Sequence, residues 1–263
     1  MCLRRGCDRE RSAMDALTIS AASGMKARME SLELLANNLA NQSAAGYKAD
    51  REFYSLYLAP EAVEATGEGA ASGPPVLPVI DRHWTDFSQG TLVATGVATH
   101  LAISGRGFFV VEGPRGRLYT RSGNFHLSPE GELVTEQGYR VLDAAGRPVR
   151  LEPSRPLEVS GDGALRQEGA LVAALAVADF ADPSVLAKEA GTYFRAVDAQ
   201  AEPAPASGYA VYQGKLESSN VRPAEGAVRL VSLMRQFEML GRAVAVASEM
   251  SRKALEEVAR VGS

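Results

Sequence analysis

Cysteine is nearly missing from this sequence of 263 residues, which has two, Cys2 and Cys7, both close to the start. Their spacing could suggest a metal pair, but a structural zinc site needs four ligands, and no second pair of cysteines or histidines completes the set. The three histidines, His83, His100 and His126, are isolated from one another along the chain. We therefore expect no metal site.

Long apolar runs, basic clusters and aromatic residues are also scarce. No stretch of about 18 apolar residues occurs, so the sequence predicts no membrane-spanning helix. The net charge is −4 and no cluster of lysine or arginine opposes it, which argues against a nucleic-acid-binding surface. Aromatic residues make up 6% of the chain, and Trp84 is its one tryptophan, which is too few for a typical carbohydrate-binding face.

Motifs that would indicate catalysis are missing as well. Gly105-Arg106-Gly107 lacks the third glycine of a dinucleotide-binding loop, and no strand–helix–strand unit surrounds it. The sequence contains neither a phosphate-binding loop nor a GxSxG nucleophile elbow. Glu130 and Glu132 lie on a predicted turn, where both carboxylates would be solvated. We therefore expect that the chain is not an enzyme and holds no cofactor.

The sequence does contain two long amphipathic helices, and the first is predicted over residues 15–42. Its apolar residues recur at spacings of three and four. Asn37, Asn38 and Asn41 are poor helix formers near its end. Asn37 and Asn41 are four apart and share one face, where their amides could bond to a neighbouring chain. The alternative is a fraying helix end before a left-handed stop at Gly46. The apolar stripe consists of Leu17, Ala21, Met25, Met29, Leu32, Leu35 and Leu39.

The second helix is predicted over residues 222–260. Pro223 suits its first turn, and Ser219 or Asn220 could cap it. Its apolar residues alternate by four and three, as in a short heptad seam. The stripe is wider than one partner helix needs, so we expect the remaining partners to be other subunits. The seam is Leu233, Phe237, Leu240, Val244 and Ala247, and the residues that widen it are Leu230, Met234, Gly241 and Leu255.

The region between the helices is predicted to form short strands. From residue 84 to 180, runs of β-branched, leucine or aromatic residues alternate with turn residues about every ten positions, which is typical of an antiparallel sandwich or barrel. The apolar run 170–180 could be a buried strand or a short helix, and we favour the strand. Residues 59–79 and 199–208 are predicted loops, and 47–58 an extended or irregular connector.

Several motifs taken together resemble the axial proteins of the bacterial flagellum, specifically the basal-body rod and hook family. The stretches 86–90 and 235–239 look closest to the proximal rod member, with the distal rod member as the alternative. The family usually has threonine just before the glycine of GYK, where this chain has Ser43-Ala44-Ala45. The motifs are ANNLAN at 36–41, GYK at 46–48, YTRSGNF at 119–125, GELVTEQGYRVL at 131–142 and QGKLESSNV at 213–221.

The resemblance implies a structural rod subunit that polymerises through its terminal helices with copies of itself and with other rod and hook proteins. It also implies export to the periplasm-spanning rod by the flagellar type III apparatus, without a cleaved signal peptide. The alternative is a secreted β-domain binding module, which would stay monomeric. The implied assembly-interface residues are Leu35, Asn37, Asn38, Leu39, Asn41, Gly46, Leu216, Glu217, Ser219, Asn220, Leu233, Phe237, Leu240 and Val244.

The implied fold class is α+β, with an antiparallel β-rich central domain and long terminal helices that pair in a coiled-coil-like domain. The first 13 residues are polar, charged and unlike the rest of the chain, so we expect a disordered extension, or a true start at Met14. The expected divisions are 14–58 with 209–263 for the helical domain, 59–83 for a flexible linker and 84–208 for the β-rich domain.

Overall fold

The structure, a computed structural model, describes residues 3–58, 76–197 and 203–261. A long helix lies at each end of the chain, and short strands form the part between them. This α+β class, with a mostly antiparallel central region, confirms the class that the sequence predicts. The helices are α1, Leu3–Ala40, and α2, Pro223–Val261. The strands are β1 Asp50–Leu58, β2 Val76–Thr85, β3 Leu92–Ala94, β4 Leu101–Ser104, β5 Phe108–Gly113, β6 Gly116–Thr120, β7 Phe125–Leu127, β8 Leu133–Thr135, β9 Arg140–Val141, β10 Leu157–Val159, β11 Ala164–Gln167, β12 Ala170–Ala174, β13 Val177–Asp179, β14 Leu186–Ala190, β15 Tyr193–Ala196, β16 Ala204–Pro205, β17 Ala210–Gln213 and β18 Lys215–Glu217.

The chain divides into two compact units. The helical unit comprises the described residues within 1–37, 51–84 and 223–263, and the β unit those within 38–50 and 85–222. Residues 209–222, which the sequence assigns to the helices, lie in the β unit, because β17 pairs with β4 and β18 pairs with β3. The β unit thus contains the end of α1 and the approach to α2.

In the helical unit, α1 and α2 touch at two glycines. A Cβ atom added at Gly24 would lie 3.5 Å from Cδ1 of Leu240, and one added at Gly226 would lie 3.6 Å from Cδ1 of Leu35. Early positions of α1 meet late positions of α2, so the two helices run antiparallel. Both distances are ordinary van der Waals contacts, so each glycine lies on the face of its helix that packs against a leucine of the other helix.

The buried side of α1 differs from the predicted stripe. Gly24, Ala27 and Ser31 are buried, whereas Met29 is 56% exposed, so its assignment to the inner stripe is wrong. The physical reason is that helices approach most closely where side chains are small, and the neighbouring helix then covers the small residues. The buried Ser31 hydroxyl donates a hydrogen bond to the carbonyl oxygen of Ala27 at 2.9 Å.

The residues predicted to be an irregular connector or a loop include regular strands. β1 and β2 pair as a two-stranded sheet. The Arg51 guanidinium lies 5.8 Å from the centre of the Trp84 ring, a cation–π contact within the helical unit. Of the predicted loop 59–79, residues 59–75 lie outside the described residues. α1 begins at Leu3, and the expected disordered extension over residues 1–13, or a true start at Met14, stays a prediction.

The largest sheet of the β unit has the order β14-β15-β6-β5-β9-β8-β7, with β13 pairing both β5 and β16. All of its registered pairs are antiparallel, as the turn spacing predicts. Smaller sheets are formed by β10-β11-β12, by β17-β4 and by β18-β3.

β5 lies at the centre of this sheet and is buried on both faces. Phe109 and Val111 belong to one hydrophobic cluster, and Phe108 and Val110 belong to a second. Successive residues of a strand point to opposite faces, so one strand serves both clusters. The second cluster is rich in aromatic contacts, with the rings of Phe108 and Phe194 6.0 Å apart at their centres.

The apolar run 170–180 is strand rather than helix, which confirms the favoured interpretation. It forms two strands, β12 and β13, and only the second is mainly buried. Leu171 in β12 is 61% exposed. The expectation of a single buried strand is therefore wrong for its first half, because β12 is an edge strand of the small sheet. Of the predicted loop 199–208, residues up to 202 lie outside the described residues.

Candidate assembly site

The two terminal sequence motifs meet inside the β unit. The first motif ends in GYK at 46–48, and we call residues Gly46–Asp50, which include it, the signature segment. The amide of Gly46 donates to the carbonyl oxygen of Glu217 at 2.7 Å, and the amide of Asn220 donates to that of Tyr47 at 3.3 Å. Residues far apart in sequence are therefore held together by main-chain hydrogen bonds as well as by side chains.

A buried charge cluster lies at this junction. Nζ of Lys48 donates to Oε1 of Glu217 at 2.5 Å, across 169 positions of sequence, and Nη1 of Arg121 lies 3.4 Å from Oε2. The side chains of Lys48 and Glu217 are fully buried and that of Arg121 is 6% exposed. The amide of Gly90 also donates to Oε1, at 2.8 Å. One carboxylate thus accepts from two cations and one main-chain amide.

The charges in this cluster depend on one another. Burial lowers the pKa of Lys48 and of Arg121, and the Glu217 carboxylate opposes that lowering in both. Arg121 is further held by donation from Nη2 to the carbonyl oxygen of Gly105 at 2.7 Å, and by the Phe108 ring 5.2 Å away. Loss of the carboxylate would leave two buried cations without their counterion, which is strongly destabilising.

Asn38 contacts the signature segment through both ends of its amide. Nδ2 donates to the carbonyl oxygen of Asp50 at 2.7 Å, while Oδ1 accepts from the Asp50 amide at 2.9 Å and from the Tyr47 hydroxyl at 3.1 Å. Asn38 is buried, 6% exposed. Asn38, a poor helix former, therefore uses its side chain within α1 to bond the segment that follows the helix.

Asn220 contacts the same segment from the other motif. Its Oδ1 accepts from the amide of Ala49 at 2.7 Å, and Nδ2 donates to the carbonyl oxygen of Asp86 at 2.6 Å. It therefore does not cap α2, contrary to the alternative drawn from sequence. Ser219 bonds locally instead, with Oγ accepting from the amide of Val221 at 3.2 Å.

Lys188 on β14 also contacts the signature segment. Its Nζ donates to the carbonyl oxygen of Lys48 at 2.7 Å and to Oδ2 of Asp50 at 2.6 Å, and lies 4.2 Å from the centre of the Tyr47 ring. Burial lowers the pKa of Lys188, and the Asp50 carboxylate opposes it. The other oxygen of Asp50 accepts from the Thr85 hydroxyl at 2.7 Å.

We expect alkaline pH to destabilise the protein through Tyr47. Burial, and then the nearby Asp50 carboxylate, raise the pKa of Tyr47 from 10.0 to about 12. Because the pKa of the Tyr47 phenol is higher in the folded state than in the unfolded state, its contribution to the free energy of unfolding is complete below pH 10. That contribution is lost as the pH rises through about 12. A shift of this size corresponds to about 3 kcal/mol at full ionisation.

Urea unfolding of wild type and Tyr47→Phe, measured below pH 10 and near pH 12, tests this expectation. The phenylalanine variant should lose less stability across that interval, although it starts lower because the bond to Asn38 is gone. Equal losses in the two proteins would contradict it.

The structure separates the remaining predicted residues into two groups. Asn38, Gly46, Glu217 and Asn220 lie together at the junction in the β unit, whereas the predicted seam of α2 belongs to the helical unit. In the β unit, the half-buried members of the predicted set are Leu39, Asn41, Leu216 and Ser219. In the helical unit, Asn37 is exposed on α1 and Leu233 is buried on α2. The half-buried members there are Leu35, Phe237, Leu240 and Val244.

A second apolar face of α2 is the feature that sequence reasoning missed. Five large apolar side chains along it are exposed by half or more of their surface. They recur at multiples of the helical turn, so the same periodicity analysis with another offset would have found them. We call this set the outer face: Val228, Val231, Met239, Val246 and Met250. Met234, assigned to the inner stripe from sequence, is also exposed.

Other kinds of site find no support in the part of the chain that the structure describes. Within it, no three histidine, cysteine, aspartate or glutamate side chains cluster in a way that could hold a metal ion. None of the described helices combines the length and the apolar character needed to span a membrane.

Comparison with known proteins agrees with this arrangement. Residues 102–169 match the family model of the flagellar hook protein FlgE/F/G D1 domain, and residues 212–257 match that of the flagellar basal body rod FlgEFG protein C-terminal region. The first match covers much of the β unit, and the second covers β18, Asn220 and most of α2.

Relatives match over almost the whole length. The flagellar basal-body rod protein FlgF of Caulobacter vibrioides is 32% identical over 249 residues, which cover 94% of this chain and 99% of that protein. The rod protein FlgG of Agrobacterium fabrum is 32% identical over 258 residues, which cover 90% of this chain and 97% of that protein. FlgF of Rhizobium meliloti is 32% identical over 227 residues, which cover 83% of this chain and 87% of that protein. On these grounds the chain belongs to the flagellar basal-body rod protein family.

Proposed function

We propose that this structural subunit of the flagellar rod polymerises through its terminal helices, with the outer face of α2 as a contact surface between subunits. The observation that supports the proposal is the exposure of Val228, Val231, Met239, Val246 and Met250, which ranges from 50% to 73%. Exposed apolar surface of this extent on a protein marks a site of association.

The outer face lies opposite the side of α2 that contacts α1. Leu240 meets Gly24 of α1, whereas the adjacent Met239 is 59% exposed. Val228 and Val246 are separated by about five full turns of 3.6 residues, so they lie on one line along the helix. A helix that packs on one partner normally has a polar opposite face. α2 is apolar on both sides, which is expected of a helix with a second partner.

The partner that we propose is another subunit of the rod, either a second copy or a related rod protein. A heterologous contact that does not close a ring generates a helical polymer. Arg235 and Arg242 are exposed along the outer face. Met29 and Glu33 are exposed on α1, and in another subunit they would supply an apolar side chain and an acidic partner for those arginines.

Two finer features belong to the same proposal. Within one subunit, α1 and α2 pair in a coiled-coil-like manner, which is supported by the antiparallel contacts at Gly24 and Gly226 and by the buried Leu233. The subunit reaches the basal body through the flagellar export apparatus, which is supported by the family to which the chain belongs.

Met239→Asp tests the contact surface. The carboxylate would remain solvated in the monomer, so the monomer should fold as wild type, but it would be desolvated without a partner on assembly. We expect sedimentation under assembly conditions to show monomer only, and cells to lack swimming. The matched control is Ser248→Asp, because Ser248 is exposed and lies about 100° or more around the helix from every residue of the outer face.

The control adds the same charge to the same helix and should assemble. Assembly of Met239→Asp at the wild-type level would refute the proposed surface. A wild-type chain that remains monomeric under all assembly conditions would instead favour the alternative of a binding module.

A further inference from the structure

We propose that Lys48, Glu217 and Asn220, together with Arg121 and Lys188, act within one subunit as a clasp on the signature segment, and that the clasp is closed before assembly. These are positioning residues. The inference does not require the proposed polymerisation, because every contact that carries it lies inside the β unit.

The polar atoms of the clasp are already used within the chain. Glu217 is fully buried, and its carboxylate accepts from Lys48, Arg121 and the amide of Gly90. Asn220 accepts from the amide of Ala49 and donates to carbonyl oxygens of the loop at 86–88. An asparagine has one carbonyl and one amide group to offer, so Asn220 is satisfied here. Contact with a neighbouring subunit would first require the clasp to open.

The clasp joins residues from four distant parts of the chain around one short segment, with Arg121 acting through Glu217. Arg121 follows β6, Lys188 lies on β14, Glu217 ends β18, and the loop before β3 supplies the carbonyl oxygen of Ser88 to Lys48 at 2.7 Å. Side chains with no shared periodicity converge in this way only if the segment has a fixed position.

The clasp lies between the two helices in the chain, next to the end of α1 and the start of α2. The signature segment follows the end of α1, and Asn220 lies just before the start of α2 at Pro223. The end of α1 and the approach to α2 are therefore joined to each other within the β unit. We infer that the clasp sets where α1 ends and where α2 begins, and that these residues contribute to assembly in this way.

Backbone packing supports a closed and tight junction. A Cβ atom added at Gly90 would lie 1.9 Å from the carbonyl oxygen of Ser218, a distance that no side chain tolerates. The chain just after Glu217 is thus in direct contact with the loop that bonds its carboxylate. The glycine is needed for this close approach.

Hydrogen exchange on the full-length monomer tests the proposal. We expect the amides of Gly46, Ala49 and Asp50 to be as protected as that of Leu133, which bonds to Val149 in the β-unit core. In Glu217→Gln, protection at the first three should fall by about 100-fold or more, because two buried cations lose their counterion. The Leu133 amide should keep its protection.

Glu189→Gln is the matched control, because it removes a carboxylate from a half-exposed ion pair with Arg195 in the same unit. It should leave all four amides unchanged. If Glu217→Gln unfolds the whole unit, Asn220→Ala decides the question. It removes a neutral acceptor for the Ala49 amide and a neutral donor to the loop at 86–88, and should lower protection at Ala49 by about tenfold while the core persists.

Two results would overturn the inference. One is fast exchange of the signature segment in the wild-type monomer with protection gained only on assembly, which would make these residues subunit contacts. The other is unchanged protection in both variants. Neither depends on Met239 or the outer face, so failure of the clasp and failure of the proposed polymerisation are separate outcomes.

Discussion

Gly46→Ala is expected to destabilise the β unit by at least about 3 kcal/mol, a large effect for one methyl group. The added Cβ would lie 2.2 Å from the backbone nitrogen of Ser122 and 2.3 Å from the carbonyl carbon of Arg121. Both are main-chain atoms and cannot move aside as a flexible side chain can. Gly46 also has φ of +69°, a left-handed conformation that alanine adopts at a cost of about 1 kcal/mol.

Gly96→Ala separates the two causes. Gly96 has a similar φ of +72°, but no heavy atom lies within 4 Å of an added Cβ. Gly96→Ala should therefore lower the free energy of unfolding by about 1 kcal/mol, from the backbone conformation alone. Urea unfolding followed by circular dichroism measures both variants. Equal losses at the two glycines would show that the close approach to Ser122 has no energetic consequence.

Leu233→Asp is expected to release α2 from its packing in the helical unit. Leu233 is 4% exposed, and an unpaired carboxylate there would cost several kcal/mol in lost burial and desolvation. The β unit has its own clusters around β5, so it should remain folded. We expect limited proteolysis to digest α2 rapidly and to leave a resistant fragment that contains the β unit.

Val231→Asp is the control for this experiment, because Val231 lies two positions away and is 50% exposed. A solvated aspartate there should change monomer stability by no more than about 0.5 kcal/mol. Equal proteolysis of the two variants would contradict the assignment of an inner and an outer face. Loss of the β-unit fragment in Leu233→Asp would contradict the independence of its core.

Periodic features were predictable from the sequence, and the reason is local. The α2 seam around Leu233 repeats with the helical turn, and the short strands repeat with turn residues, so a window of residues contains the signal. Met29 shows the limit of this reasoning. Its spacing fits the inner stripe, but the contact between helices is set by small residues, Gly24 and Ala27, and hydrophobicity alone ranks those low.

The clasp could not be predicted, because its residues share no period and no neighbourhood. Lys48 and Glu217 are 169 positions apart and each is an ordinary charged residue in sequence. Only the fold brings them together and removes them from water. The motifs around them indicated a family, and thus a reason to examine them, but not whether their polar groups bond within the chain or between chains.

The contact of Arg51 with Trp84 has a practical consequence for following the two units separately. Trp84 is the single tryptophan of the chain and lies in the helical unit, half exposed. Its fluorescence therefore reports on that unit without an attached dye. Separation from the Arg51 cation, or coverage by another subunit, would change the emission maximum and the access of a soluble quencher. One native fluorophore can thus record changes in the helical unit, because the β unit contains no tryptophan.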